Sequence, residues 1–139
     1  MLLFIIYALD DFLLKFIKFA VVGASGLIID FGTTYVLKEK VKVYRYISSS
    51  IGFILAASSN YILNRLWTFH SNNPQVFFEY SSFIIISVIG LGINNSFLWL
   101  FSDKFRQNFY LSKLFATGIT IIWNFLANFY ITFHLPLNL

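Results

Sequence analysis

Cysteine is absent from this sequence of 139 residues, which also has only two histidines, two prolines and 12 % charged residues. The lack of cysteine excludes a secreted scaffold that is held together by disulfides. Without thiolates, and with only His70 and His134 as imidazole ligands, we expect no metal and no cofactor. A soluble domain has about 25 % charged residues, so the few charges here cannot cover a globular surface in water.

Apolar residues take the place of the missing charges. They make up 58 % of the chain, aromatic residues make up 21 %, and the mean hydropathy is +0.75. The formal net charge of +4 does not indicate a nucleic-acid partner, because Lys and Arg collect in the loops of membrane proteins for topological reasons. The composition excludes a disordered chain and predicts an all-α integral membrane protein with lipid as its solvent.

Four stretches are long and apolar enough to be spanning helices, which need about 20 mostly apolar residues. They cover approximately residues 16–37, 46–64, 80–101 and 114–133. Short connections predict antiparallel neighbours and a single membrane domain over residues 1–139. Residues 1–12 are too few to span and end in Asp10 and Asp11, so we expect an interfacial lead-in there.

An internal repeat appears when the chain is shifted against itself by 64 residues. Asn60 and Asn64 then fall on Asn124 and Asn128, Gly26 on Gly90, Asp30 on Asn94, and Thr68-Phe69 on Thr132-Phe133. The repeats cover about 16–70 and 80–134, and each is one helical hairpin. Because a hairpin contains an even number of spans, both copies enter the bilayer from the same side, which predicts parallel repeats.

The basic residues favour one orientation in the membrane. Seven of the ten follow the first and third spans, namely Lys38, Lys40, Lys42, Arg45, Lys104, Arg106 and Lys113. The positive-inside rule therefore predicts that the loop inside each hairpin is cytoplasmic.

Several polar residues interrupt the spans. A carboxylate near a helix centre costs about 2.5–3.5 kcal/mol on insertion scales, so Asp30 either binds a ligand or a proton, or fixes packing as a protonated or Lys-paired group. Asn94 keeps a polar residue at the equivalent position. Two further pairs, Asn60 with Asn64 and Asn124 with Asn128, have i, i+4 spacing and lie on one helix face. They either line a hydrophilic cavity or hydrogen-bond across to a neighbouring helix.

A basic and aromatic group closes the second span. Arg65 either snorkels to water or holds a phosphate bidentately, a geometry that Lys does not match. Trp67 offers a flat face to a sugar ring or an acyl chain. Lys18, at a similar depth on the same side, is a second candidate partner for a phosphate.

Motifs of common enzymes are missing from the sequence. It contains no G-x-x-x-x-G-K-[ST], no G-x-S-x-G and no H-E-x-x-H. We therefore expect no catalytic activity.

These residues resemble the GtrA-like family of small membrane proteins over approximately residues 16–134. The carrying residues are Lys18-Phe19, Gly23, Asn60-x-x-x-Asn64-Arg65-x-Trp67-x-Phe69, Lys113 and Trp123-Asn124-x-x-x-Asn128 leading to Phe133. The sequence departs from the family at Phe129, where the second half often repeats a basic residue.

The resemblance implies translocation of polyprenyl-phosphate-linked sugar, such as undecaprenyl-phosphate-glucose, across the bacterial cytoplasmic membrane for cell-surface polysaccharide or teichoic acid glycosylation. Its partners would be the lipid and the glycosyltransferases of the same pathway, and the small volume of four helices favours a homo-oligomer. In this role Arg65 and Lys18 would neutralise the phosphate, the asparagines would surround the sugar, and Asp30 would bind the sugar or a proton. The alternatives are a scaffold that recruits a glycosyltransferase and a small multidrug-type exporter.

Overall fold

Four long α-helices make up most of the chain. The computed structural model describes residues 1–133, and the side chains of all of these except Leu2, Arg45, Tyr46, Ser49, Phe109, Tyr110 and Lys113. The helices are α1 (Leu2–Tyr35), α2 (Arg45–Leu63), α3 (Val76–Trp99) and α4 (Phe109–Ala127). No strand occurs within residues 1–133, so the prediction of an all-helical fold is confirmed.

Three of the four predicted spans coincide with helices that are long and apolar enough to cross a membrane. Within the described residues these segments are Leu3–Lys40, Val76–Lys104 and Leu114–Thr132. The predicted second span corresponds to α2, which is helical but does not belong to this group. Its serines and Asn60 lower its mean hydropathy. The chain is thus a multi-pass membrane protein whose second helix is more polar than the others.

The first helix is longer than its predicted span. It runs without interruption for 34 residues and includes the stretch that we expected to form a separate lead-in. Lys15 and Asp11 form an ion pair of 2.6 Å across one of its turns, so the acidic pair is accommodated within the helix. At about 1.5 Å per residue the helix is about 51 Å long, whereas the hydrocarbon core is about 30 Å thick. The position of residues 1–12 at the membrane surface stays a prediction.

The chain forms two compact units, Met1–Asn72 and Asn73–Leu139. Each contains one helical hairpin, α1 with α2 and α3 with α4. The predicted end of the second repeat, together with His134, lies outside the described residues. The single domain and the parallel arrangement of the repeats stay predictions.

In the first hairpin, small and aromatic residues hold the helices together. Phe19 and Phe69 meet edge to face with ring centroids 6.2 Å apart, and Val22, Ala56 and Tyr61 are buried between the helices. Gly26 lies directly against the side-chain amide of Asn60, in a space that a Cβ atom would fill. The absence of a side chain at this position therefore sets how closely α1 and α2 approach.

The second hairpin repeats two of these contacts at positions that are 64 residues later. Phe83 and Phe133 meet edge to face at 6.3 Å, and Gly90 lies against the amide of Asn124. The interior again contains a small residue, Ala116, which is fully buried. The ring pair and the glycine–asparagine contact therefore occur at equivalent positions in both hairpins.

Each helix ends in a single π-helical turn. These turns are Val36–Lys40, Asn64–Thr68, Leu100–Lys104 and Asn128–Thr132. After the first three the chain reverses at a residue with positive φ, Lys42, His70 or Arg106. The next backbone N–H then donates to a carbonyl six residues earlier, as Ser71 does to Arg65 at 2.9 Å. These bonds satisfy carbonyls that a helix end leaves unpaired.

We expect Gly26→Ala to destabilise the protein and Gly23→Ala, on the same helix, to leave it unchanged or slightly more stable. A methyl group at position 26 would overlap Asn60, whereas nothing lies within 4 Å of the corresponding point at Gly23. Overpacking costs about 1–3 kcal/mol, and a helical Gly→Ala change without a clash gains up to about 1 kcal/mol. Thermal unfolding in detergent measures both; equal effects of the two variants would contradict a close approach at Gly26.

Candidate functional site

The polar residues of the first hairpin form a line along the interface between α1 and α2. We call this line the polar seam and define it as Asp30, Thr34, Ser48, Asn60, Asn64 and Thr68. Three contacts between the helices give the positions of these residues along the hairpin. Lys18 contacts Trp67, Gly26 contacts Asn60, and Thr34 contacts Ser48. Lys18, Arg65 and Trp67 occupy one end of the hairpin, and the loop between α1 and α2 occupies the other.

Lys18 and Trp67 are in direct contact at the basic end. The Lys18 ammonium donates a hydrogen bond of 3.3 Å to the backbone carbonyl of Trp67 and lies 5.4 Å from the centroid of its ring. In the described part of the chain Lys18 forms no ion pair with a carboxylate. The indole itself is 44 % exposed. A cation therefore lies over an aromatic ring at this end of the hairpin.

Arg65 lies on the same π-helical turn as Trp67. Its guanidinium is half-buried, and Nη1 donates to the Tyr61 hydroxyl at 3.5 Å. Tyr61 is itself buried, so its hydroxyl holds the guanidinium of Arg65 close to the hairpin. The geometry places two cationic side chains, Lys18 and Arg65, at one end of the hairpin, as the sequence predicts.

Asn64 is buried and satisfied within its own helix. It is 1 % exposed, and its Oδ1 accepts a hydrogen bond of 2.8 Å from the Thr68 hydroxyl. In the second hairpin Asn128 is 0 % exposed and accepts the same bond, also 2.8 Å long, from Thr132. In both hairpins this asparagine and threonine form a closed polar pair in the interior, a geometry that suits packing.

Asn60 has a different environment. Its side chain lies over Gly26, and within residues 1–133 its buried Oδ1 has no hydrogen-bond partner. Asn124 repeats this arrangement over Gly90, again with a buried and unpartnered Oδ1. A glycine Cα–H is a weak donor to such an oxygen. Each hairpin therefore keeps one amide oxygen that remains able to accept a strong hydrogen bond.

Asp30 lies far from the basic end. It is separated from Lys18 by about 18 Å along α1, at about 1.5 Å per residue. Its Oδ1 accepts a bond of 3.3 Å from the Thr34 hydroxyl, and Gly52 of α2 lies against both side chains. The structure thus separates Asp30 from the two cations. Asn94, its counterpart in the second hairpin, is half-buried on α3.

Sequence reasoning missed several residues of the polar seam. Thr68 and Thr132 were available from their i, i+4 spacing after the asparagines, a pattern that the repeat itself duplicates. Thr34 and Ser48 carry no such signal, because they meet only when the hairpin closes. Glu79, in the first turn of α3, is also buried and was not singled out.

A shallow surface depression lies elsewhere, along α3. It is lined by Asn95, Ser96, Trp99 and Leu100. It contains none of the nine candidate residues and has no charged side chain, so it adds nothing to the site.

Two apolar hairpins with buried polar residues, and with large hydrophobic side chains on their outer faces, define a helical multi-pass membrane protein. Comparison with protein families makes the assignment more specific. The model for the GtrA/DPMS transmembrane domain matches residues 18–133, which is most of the chain, and the protein belongs to this family. The family indicates a membrane function related to polyprenyl-phosphate sugars.

A relative in Bacillus subtilis (strain 168) is similar over nearly its whole length. This protein, the uncharacterized membrane protein YwcD, is 22 % identical over 118 residues, which cover 83 % of this chain and 93 % of the relative. The two proteins are therefore of about the same size. The comparison assigns no activity, because the relative is uncharacterized.

We expect Thr68→Val to destabilise the first hairpin and Thr132→Val to destabilise the second by a similar amount. Each change leaves the buried Oδ1 of an asparagine without its donor, at a cost of about 1–3 kcal/mol. Thr120→Val is the matched control, because the Thr120 hydroxyl donates to the Ala116 carbonyl, which the helix already satisfies. If the midpoint of thermal unfolding falls equally in all three variants, the hydrogen bonds to the asparagines contribute no more to stability than the bond in the control.

Proposed function

We propose that this protein moves polyprenyl-phosphate-linked sugar between the leaflets of the bacterial cytoplasmic membrane. The observation that carries the proposal is the basic end of the first hairpin, where the Lys18 ammonium lies over the ring of the half-exposed Trp67 and Arg65 lies on the same turn as Trp67. These are the groups that a phosphate beside a sugar ring requires. They lie within the residues that match the GtrA/DPMS family.

The proposal includes a membrane crossing by α2, which gives four spans in two parallel hairpins. Support comes from the distribution of its side chains. Ser48, Asn64 and Thr68, in α2 and its final turn, are buried. Large aliphatic residues of the helix are exposed, among them Ile47, Ile51, Ile54, Leu55 and Ile62. A helix that buries polar residues such as these and exposes large aliphatic ones suits lipid rather than water.

The substrate has three parts with different needs. Its long apolar tail can stay in lipid along the exposed hydrophobic faces of the helices, so only the headgroup requires polar partners. Arg65 offers the phosphate two parallel N–H donors, and Lys18 offers a mobile point charge. Trp67, which is half-exposed, offers its ring to the neutral sugar, and the unpartnered amide oxygen of Asn60 in the same hairpin accepts from a hydroxyl.

The remaining features of the proposal follow from this task. Translocation breaks no covalent bond, so the protein needs neither catalysis nor a cofactor. A glycosyltransferase that loads the carrier and another that uses the sugar would be its partners in cell-surface polysaccharide or teichoic acid glycosylation. Because one hairpin offers a line of polar groups rather than an enclosed chamber, we include a homo-oligomer in the proposal.

Binding of undecaprenyl-phosphate-glucose to the purified protein in nanodiscs tests the headgroup site. We expect Lys18→Gln and Arg65→Gln each to weaken binding about tenfold or more, since a hydrogen bond to a charged group is worth about 1.5–3 kcal/mol and each 1.4 kcal/mol is tenfold. Arg65→Lys keeps the charge but not the paired donors, so we expect an intermediate loss.

Lys15→Gln is the matched control, because Lys15 lies on the same helix but is paired with Asp11. We expect this variant to bind as the wild type does. An equal loss in Lys15→Gln would indicate nonspecific attraction by positive charge. Absence of binding by the wild type would favour the scaffold that recruits a glycosyltransferase. Movement of the bound lipid across liposomes by the purified protein alone then separates a translocator from a scaffold that only binds it.

A further inference from the structure

The hydroxyl of Thr34 lies between two acceptors. Its Oγ1 is 3.3 Å from Oδ1 of Asp30 on the same helix and 3.5 Å from the backbone carbonyl of Ser48 on α2. A hydroxyl has one proton, so it can donate to only one of the two oxygens at a time. The direction in which it donates therefore depends on whether Asp30 is ionised.

The two protonation states of Asp30 give two complete hydrogen-bond patterns. When Asp30 is ionised, Thr34 donates to its carboxylate and the second lone pair of the Ser48 carbonyl is unused. When Asp30 is protonated, its O–H can donate to the Thr34 oxygen, and Thr34 then donates to Ser48. The same three groups thus accommodate the carboxyl group with and without its proton.

Among the side chains that the structure describes, which do not include that of Arg45, no basic group forms an ion pair with Asp30. On α1, the nearest ionisable residues are Tyr35 and Lys18, and Lys18 lies about 18 Å away along the axis. The final turn of α1 adds Lys38, Glu39 and Lys40, and α2 contributes Arg45 at its start and Tyr46 and Tyr61 further along. The backbone of Arg45 lies about 10 Å along α2 from Gly52, which faces Asp30.

The second hairpin lacks this arrangement, although it repeats most other contacts. Asn94, Leu98 and Ala116 stand at the positions of Asp30, Thr34 and Gly52. An amide cannot gain or lose a proton in this range of pH, and leucine offers no hydroxyl. The close approach of Gly52 to Asp30 and Thr34 is also specific to the first hairpin. The second hairpin therefore lacks all three parts of this arrangement: the carboxyl group, the threonine hydroxyl and the glycine that makes room for both.

We propose that Asp30 is a proton-exchange site whose Thr34 hydroxyl reorients with each protonation, and that this exchange drives the lipid movement. The second half of this inference rests on the proposed function. On uptake, a proton from water at the loop between α1 and α2 joins the carboxylate oxygen and gives a neutral acid. On release, the proton leaves the carboxyl group for water on the opposite side of the membrane and the carboxylate regains its charge, so each cycle carries one proton down the pH gradient. A neutral acid is far less costly inside lipid than a carboxylate, so protonation favours the closed hairpin and ionisation favours a hydrated one.

Infrared difference spectroscopy of the full chain in lipid vesicles, recorded as the pH is changed, detects the protonated carboxyl group directly. We expect a carboxyl band in the wild type that is absent from Asp30→Asn, a substitution that the second hairpin already contains as Asn94. Thr34→Val should shift this band because it removes the hydroxyl, and Thr34→Ser should restore it. Thr33→Val, the neighbouring position, is the matched control, and Glu79→Gln accounts for the buried carboxyl group of α3.

The same vesicles, loaded with undecaprenyl-phosphate-glucose, test the coupling. We expect a pH gradient to drive net movement of the lipid by the wild type and by Thr33→Val, and this driven movement to be lost in Asp30→Asn. A carboxyl band that persists in Asp30→Asn, or that ignores Thr34→Val, would overturn the proton site.

Two further outcomes concern the coupling alone. Movement that follows a sodium gradient instead of a pH gradient would overturn proton coupling in favour of an alkali cation. If the wild type binds the lipid but moves none of it, the coupling and the proposed translocation both fail. The loss of the infrared band in Asp30→Asn would in that case still support proton exchange at Asp30.

Discussion

Close approach of two helices at a glycine is the contact on which each hairpin depends. In lipid there is no hydrophobic driving force between apolar helices, so their association relies on tight packing and on polar contacts. Gly26 and Gly90 provide both, because each admits an asparagine amide from the facing helix. Gly52 does the same for Asp30 and Thr34. Where the backbones come closest, polar side chains lie between the helices, and Asp30, Thr34 and Asn60 are among the side chains to which we assign function.

The hydropathy and the repeat were sufficient to predict the helices. Three predicted spans lie on helices that can cross a membrane, and residues separated by the repeat offset, such as Phe19 and Phe83, make equivalent ring contacts. The extent of α1 was harder to predict. Residues 1–12, which end near Asp10 and Asp11, look in sequence like a segment separate from the first span. The ion pair of Asp11 with Lys15 one turn later is compatible with a helix that continues through them. Hydropathy also does not show why α2 is polar: Ser48 is buried in the hairpin and Asn60 lies against Gly26 of α1.

The candidate site was predictable where its residues are close in sequence. Arg65 and Trp67 share one turn with Asn64, so their motif identifies the basic end, and only the pairing with Lys18 required the fold. Roles that depend on the register between helices could not be predicted. Asn60 and Asn64 have the same residue type and lie on one face, but one meets a glycine and the other meets a threonine. The link from Thr34 to the Ser48 carbonyl likewise exists only after the hairpin has closed.

Each hairpin completes its own internal contacts, and this has a consequence for biosynthesis. The partners of Asp30 and Asn60 all lie within the first 72 residues, so the ribosome has delivered them before α3 is made. If α1 and α2 leave the translocon together, as a paired unit, Asp30 and Asn60 enter the bilayer already packed against the facing helix. Neither helix then has to expose its polar residues alone to the acyl chains.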